Sequence, residues 1–206
     1  MDYENIFKFE DQNEIYILMA LARKKNNPEL RSEEAVSREI VRTHKELKYK
    51  LNRLIRFVET FEHEKAKPED FNFYITFNPR NALFAYHEFK KELIELDKQL
   101  MINTNHIRLR KLDKVWLDCL QRPSGKKRRQ YFNIDIDTEE TSVLNDVLEL
   151  VRKEQPEVFQ QKTRHGWHIL IKPAHYKELL NYITQRDDVE LHRDRFFYLG
   201  KISDFT

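Results

Sequence analysis

The sequence predicts an α+β protein. A mainly helical N-terminal region, 1–70, leads into an α/β connecting region with a basic loop, 71–130, and then into a strand-helix-strand-strand-helix-strand core, 131–206. Three observations carry this. Apolar residues at three- and four-residue steps dominate the first third. Short alternating segments bounded by Pro, Gly and Asn punctuate the rest. From Tyr131 onward the two textures follow one another in the order of a split βαβ unit, the ferredoxin-like or RRM-like arrangement.

Taken in order, Asn13 to Lys65 reads as helical. "EIYILMALARKKN" is an apolar helix ending near Asn26-Asn27-Pro28, and Ser32 caps a long second helix on which Val36, Ile40, Leu47, Leu51, Leu54 and Val58 recur. "FNFYITFNPR" alternates as a strand stopped by Pro79, and Asn81 caps an amphipathic helix, "NALFAYHEFKKELIELDKQL". "IRLRKLDKVWLDCL" is a further helix and "QRPSGKKRR" a loop. Beyond it come a strand over Tyr131–Asp137, a helix over Glu139–Lys153 and strands over Val158–Lys162 and Trp167–Lys172. A helix over Ala174–Gln185 and strand-like segments Val189–His192 and Phe196–Leu199 complete the chain.

Composition narrows the classes. At 40% hydrophobic and 12% aromatic, the 206 residues can build a sizeable core, and the 35% that are charged require much solvated helix surface. The net charge of +2 does not by itself announce a nucleic-acid binder. Cys119 is the single cysteine, which excludes an intramolecular disulfide and a multi-cysteine zinc site. No apolar run approaches the roughly 20 residues that span a bilayer, and the N-terminus lacks a signal-peptide layout. We expect a soluble, cytoplasmic protein without membrane partners.

The chemistry gathers around "RRQYFNIDIDTEE". A period of two puts Asn133, Asp135 and Asp137 on one strand face and Phe132, Ile134 and Ile136 on the other. Two carboxylates so placed repel unless compensated, either by a divalent cation or by Arg and Lys across an exposed sheet. "KTRHGWHILIKP" falls on the hairpin between the second and third core strands. Its Lys162, Thr163, Arg164, His165 and His168 offer donors and cations around Gly166, as a phosphate site needs; a solvated basic turn is the plainer alternative. Adjacency of the first and third strands would set His168 beside the two aspartates. In "DDVELHRDRFFYLG" a regular strand would put Glu190, His192 and Asp194 on one face.

Together, "NIDID" and "GWH" resemble the motifs of the archaeo-eukaryotic primase superfamily, over roughly Tyr131 to Leu199. The resemblance implies an RRM-like catalytic half in which Asp135 and Asp137 bind Mg²⁺ or Mn²⁺. A third acid, Asp194 or else Glu190, completes the site. His168 contacts the phosphates of a nucleoside triphosphate, with Arg164, Lys162, Thr163 and His165 around it. It further implies DNA or RNA as substrate and other replication proteins as partners. The compact length suits a variant encoded by a phage or mobile element. The cysteine-rich zinc element and the serine found in many members are missing. For the nucleic acid itself, the candidates are Arg80, at a helix start, and Lys126, Lys127, Arg128 and Arg129, in a run that can track a phosphate backbone. Rival expectations are a non-catalytic nucleic-acid-binding or replication accessory protein with a degenerate core, and a metal-dependent phosphohydrolase or nuclease using the same carboxylates.

Overall fold

A computed structural model describes residues 6–24, 27–30, 34–62, 66–102, 106–122, 130–155 and 158–205. It is an α+β fold with two antiparallel sheets. The first sheet is built from β1 (Glu14–Ala22), β2 (Glu34–Val41), β3 (Phe71–Thr76), the short β4 (Arg80–Asn81) and β9 (Phe196–Lys201). Its order is β2-β1-β3-β9, with β4 paired to β1. The second comprises β5 (Phe132–Ile136), β6 (Phe159–Lys162), β7 (Trp167–Ile171) and β8 (Val189–His192), in the order β6-β7-β5-β8. Among the described residues five α-helices accompany them: α1 (His44–Thr60), α2 (Ala82–Ile102), α3 (Leu112–Gln121), α4 (Thr141–Glu154) and α5 (Lys177–Ile183).

The N-terminal region corrects the expectation of a helical domain over 1–70. "EIYILMALA" is a strand, buried at every position and paired on both sides, by β2 and by β3. A strand covered on both faces reads as a continuous apolar run, which periodicity cannot tell from a buried helix. Cross-strand pairing overrides the helix preference of its Leu, Met and Ala. Val36 and Ile40 belong to β2, and the helix starts only at His44, where the Thr43 hydroxyl accepts the Glu46 amide at 3.3 Å. From there Leu47, Leu51, Leu54 and Val58 form the buried stripe of α1.

The C-terminal strand also crosses the expected boundary at 131. After β8 the chain leaves the second sheet, and β9 pairs with β3 in the first. In the second sheet Ile134, Ile136, Ile169, Ile171 and Val189 pack under Val143, Val147 and Val151 of α4 and Leu179 of α5. The opposite face of that sheet looks toward the first sheet. Leu170 joins the core of Phe73, Phe197 and Leu199, and the His168 ring lies 5.6 Å from that of Phe197. Asn78, fully buried, ties the parts together: Oδ1 accepts the amides of Gln130 (2.8 Å) and Tyr131 (3.0 Å), and Nδ2 donates to the carbonyls of Tyr131 and Arg193. Among the described residues no helix is long and apolar enough to cross a membrane.

Candidate functional site

A cleft of about 190 Å³ opens between the two sheets. Asn133, Asp135 and Asp137 line one wall from β5 and the residue following it, and the hairpin between β6 and β7 supplies Thr163, Arg164, His165 and His168. Asn72, Tyr74, Phe196 and Tyr198 of the first sheet form the facing wall, with Arg23 and Arg195 at its edges.

The register explains the convergence. Asp135 pairs with His168 of β7 on one side and with Glu190 of β8 on the other. Side chains of directly paired residues share a sheet face, so alternation delivers Asp135, His168 and, two residues beyond Glu190, His192 to one surface. Nε2 of His168 lies 3.3 Å from Oδ1 of Asp135, and Nε2 of His192 lies 3.7 Å from Oδ2. The backbone amide of Tyr198 donates to Nδ1 of His168 at 3.2 Å. The neutral ring therefore carries its proton on Nε2, the nitrogen facing Asp135. Burial pushes the Asp135 pKa up, but the imidazoles of His168 and His192 outweigh it and hold this carboxyl well below the ordinary range.

Gly166 sets the hairpin against β5. A Cβ at this position would come within 1.7 Å of the Ile136 carbonyl oxygen, so a side chain has no room. The Thr163 amide donates to the Gly166 carbonyl at 2.9 Å, which closes the turn with Arg164 and His165 at its tip. Both tip residues are exposed. Lys162, expected with them, instead lines a neighbouring groove of about 720 Å³, which shares Asn72, Thr163, Arg164 and Tyr198 with the cleft.

Other expected residues lie elsewhere. β8 ends at His192, so Asp194 leaves the face it would share in a longer strand. Its side chain is buried, 2.7 Å from Nη1 of Arg80. This corrects two expectations: Asp194 does not line the cleft, and Arg80, 3% exposed, is not a surface arginine available to a nucleic-acid phosphate. Glu190 sits on the strand neighbouring Asp135 but is largely exposed, with Oε2 3.3 Å from Nε2 of His192. Lys126, Lys127, Arg128 and Arg129 lie outside the described residues. Arg122, which opens that run, pairs with Glu88 and Glu92 of α2.

Several lining residues have no role assigned from the sequence. His192 is visible in sequence only through its two-residue spacing from Glu190. Arg195 places Nη1 3.3 Å from Nε2 of His192, and the Arg23 guanidinium lies 5.0 Å from the centre of the Tyr74 ring. Asn133 is 1% exposed, and its Oδ1 has no hydrogen-bond partner among the described residues. A buried acceptor left this way is costly unless a ligand or water meets it.

Among the described residues no three His, Cys, Asp or Glu side chains cluster as a metal site. The oxygen donors on the β5 wall are Asp135, Asp137 and Asn133 Oδ1. That set suits a hard divalent cation, which is commonly held by one or two carboxylates together with water and substrate phosphates. Three arginines against two aspartates give the lining a chemistry for polyanions as well. Neither the comparison with protein-family models nor that with curated proteins gives a match.

Proposed function

We propose that this protein binds a nucleoside triphosphate with Mg²⁺ or Mn²⁺ in the inter-sheet cleft and transfers nucleotidyl groups, as a compact member of the primase class. One observation carries the reading: Asp135 and Asp137 line the same cleft as Thr163, Arg164, His165 and His168. Element order supports it. Strand, helix, strand, strand, helix, strand, with β8-β5-β7-β6 across the sheet and both helices on one face, is the order that the resemblance to that class leads one to expect.

In this reading Asp135 and Asp137 hold the cation, and Asn133 Oδ1 adds a neutral oxygen. A bound cation supplies activation of the attacking hydroxyl and charge neutralisation on the leaving pyrophosphate. The remaining work is positioning. Arg164 and Arg195 orient phosphate oxygens, and His168, whose Nε2–H faces Asp135, orients that carboxylate beside them. The acids and imidazoles on this sheet face take the place of the exposed aromatics on which RRM proteins stack bases, which argues against simple RNA binding by the sheet.

A second reading, nucleotide binding without transfer, is favoured by the third acid. Asp194 is engaged by Arg80, and Glu190 does not line the cleft. Primer extension with Mn²⁺ and nucleotides, alongside equilibrium nucleotide binding, separates the two. Extension abolished by Asp135→Ala with Asp137→Ala is expected. Binding without extension selects the second reading, and absence of Mn²⁺-dependent nucleotide binding overturns both.

A further inference from the structure

Six of the ten exposed large apolar side chains among the described residues lie on one helix, α2. Ala85 and Leu96 are buried on the side of α2 that faces the protein, and the Phe89 ring meets Trp116 of α3 at 5.6 Å. With 3.6 residues per turn, the opposite side presents Leu83, His87, Lys90, Ile94, Asp97 and Met101. All six are exposed. Their spacing alternates four and three residues, so they form one stripe along the helix, with Leu83, Ile94 and Met101 apolar and His87, Lys90 and Asp97 polar. The helix thus carries two seams, one filled by its own fold and one open.

We propose that the open seam pairs with the same seam of a second copy of this chain, antiparallel. The seam is self-complementary in that direction. A two-fold axis at the level of residue 92 sets Leu83 opposite Met101 of the second copy, His87 opposite Asp97, and Lys90 opposite Ile94, each contact occurring twice. The first is apolar on apolar. The second gives an imidazole N–H a carboxylate acceptor. The third lays a lysine stem along an isoleucine with its ammonium reaching water. Parallel pairing would instead set Lys90 against Lys90 and Asp97 against Asp97, which like charge disfavours. Sliding the antiparallel pair by one heptad loses the His87–Asp97 contact. From Leu83 to Met101 the seam is roughly 27 Å long at the helical rise per residue, about eighteen steps. The proposal is independent of the cleft chemistry.

Sedimentation velocity of the full chain, at concentrations up to the order of 100 µM, tests it. We expect a dimer that Ile94→Asp and Met101→Asp each convert to monomer, with circular dichroism unchanged because both positions are exposed. His87→Asp raises the dimer dissociation constant at least about tenfold, and adding Asp97→Lys restores it. A wild type that is monomeric throughout overturns the proposal, as does a dimer indifferent to Ile94→Asp. Failure of the charge exchange to restore association overturns the antiparallel register.

Discussion

His168 touches Asp135 from one sheet while the main chain of the other sheet holds it. Its Nε2 lies 3.3 Å from Oδ1 of Asp135, and its Nδ1 accepts the Tyr198 amide of β9. His168→Ala removes the acceptor of the Tyr198 amide and the imidazole beside Asp135 at once. We expect a loss of about 1–3 kcal/mol, measured by urea unfolding, together with weakened nucleotide binding. His168→Gln, which can still donate and accept, should recover part of the stability.

Asp135 gives the stability a defined pH dependence. Its folded pKa lies below the ordinary value, so the folded state favours the ionised form. The contribution is complete above the unfolded pKa, about 3.9, and is lost as pH falls from there toward the lower folded value. The urea midpoint of the wild type should therefore drop more steeply below about pH 4 than that of Asp135→Asn. The two curves should converge in strong acid. Parallel curves would show that the two imidazoles do not hold this carboxyl.

Asp137 offers the contrasting test. It is exposed and lines the cleft. Asp137→Asn should leave the unfolding free energy within about 0.5 kcal/mol of wild type, while Mn²⁺-dependent nucleotide binding falls at least about tenfold. Titration calorimetry alongside thermal melting separates the two effects.

The Arg80–Asp194 pair should behave as structure, not as part of the site. Both side chains are buried, at 4% and 7% exposure. Breaking a buried ion pair on one side is costly, so Asp194→Asn or Arg80→Met should cost about 3–5 kcal/mol, whereas the apolar double replacement costs less than the sum. Nucleotide affinity measured well below the melting temperature should stay near wild type. A selective loss of Mn²⁺-dependent binding in a stable Asp194→Asn protein would return Asp194 to the site.

Gly166→Ala forces the hairpin away from the Ile136 carbonyl, since no rotation of a methyl group relieves a 1.7 Å approach. The expected cost is about 3 kcal/mol, at the upper end for overpacking. Nucleotide affinity should fall with it, because Arg164 and His165 ride on the displaced turn. A fully stable variant that keeps its affinity would show that the turn shifts freely.

How much of this was legible in the sequence depended on whether local pattern and tertiary environment agreed. They agree in the second sheet, where one face is covered by helices and the other lines a cleft. Alternation in "FNIDID" therefore reported true facing, and Gly166 marked a true close approach. They disagree in β1, where both faces are covered and a nine-residue apolar run lost its period. Asp194 was misplaced because β8 stops at His192, and nothing in "LHRDRFF" marks that stop. Arg80 looked like a helix-start cation, yet its partner lies far along the chain and only folding brings them together. His192 needed the strand register before its position at the cleft could be known, whereas Asn133 shares the face of Asp135 by alternation alone.

Only Arg193, Asp194 and Arg195 separate β8 of one sheet from β9 of the other. From His192 to Phe196 the chain can reach on the order of 14 Å at full stretch. The middle residue of this link is clamped by Arg80, and the Arg193 carbonyl is held by Asn78. The two walls of the cleft are thus laced together along one margin and cannot draw apart in parallel. The Tyr198 amide joins the same walls again at His168, and the Phe159 ring meets that of Phe197 at 5.8 Å on the far edge strand, so the cleft is held across its width and Arg164 and His165 stand at its exposed end.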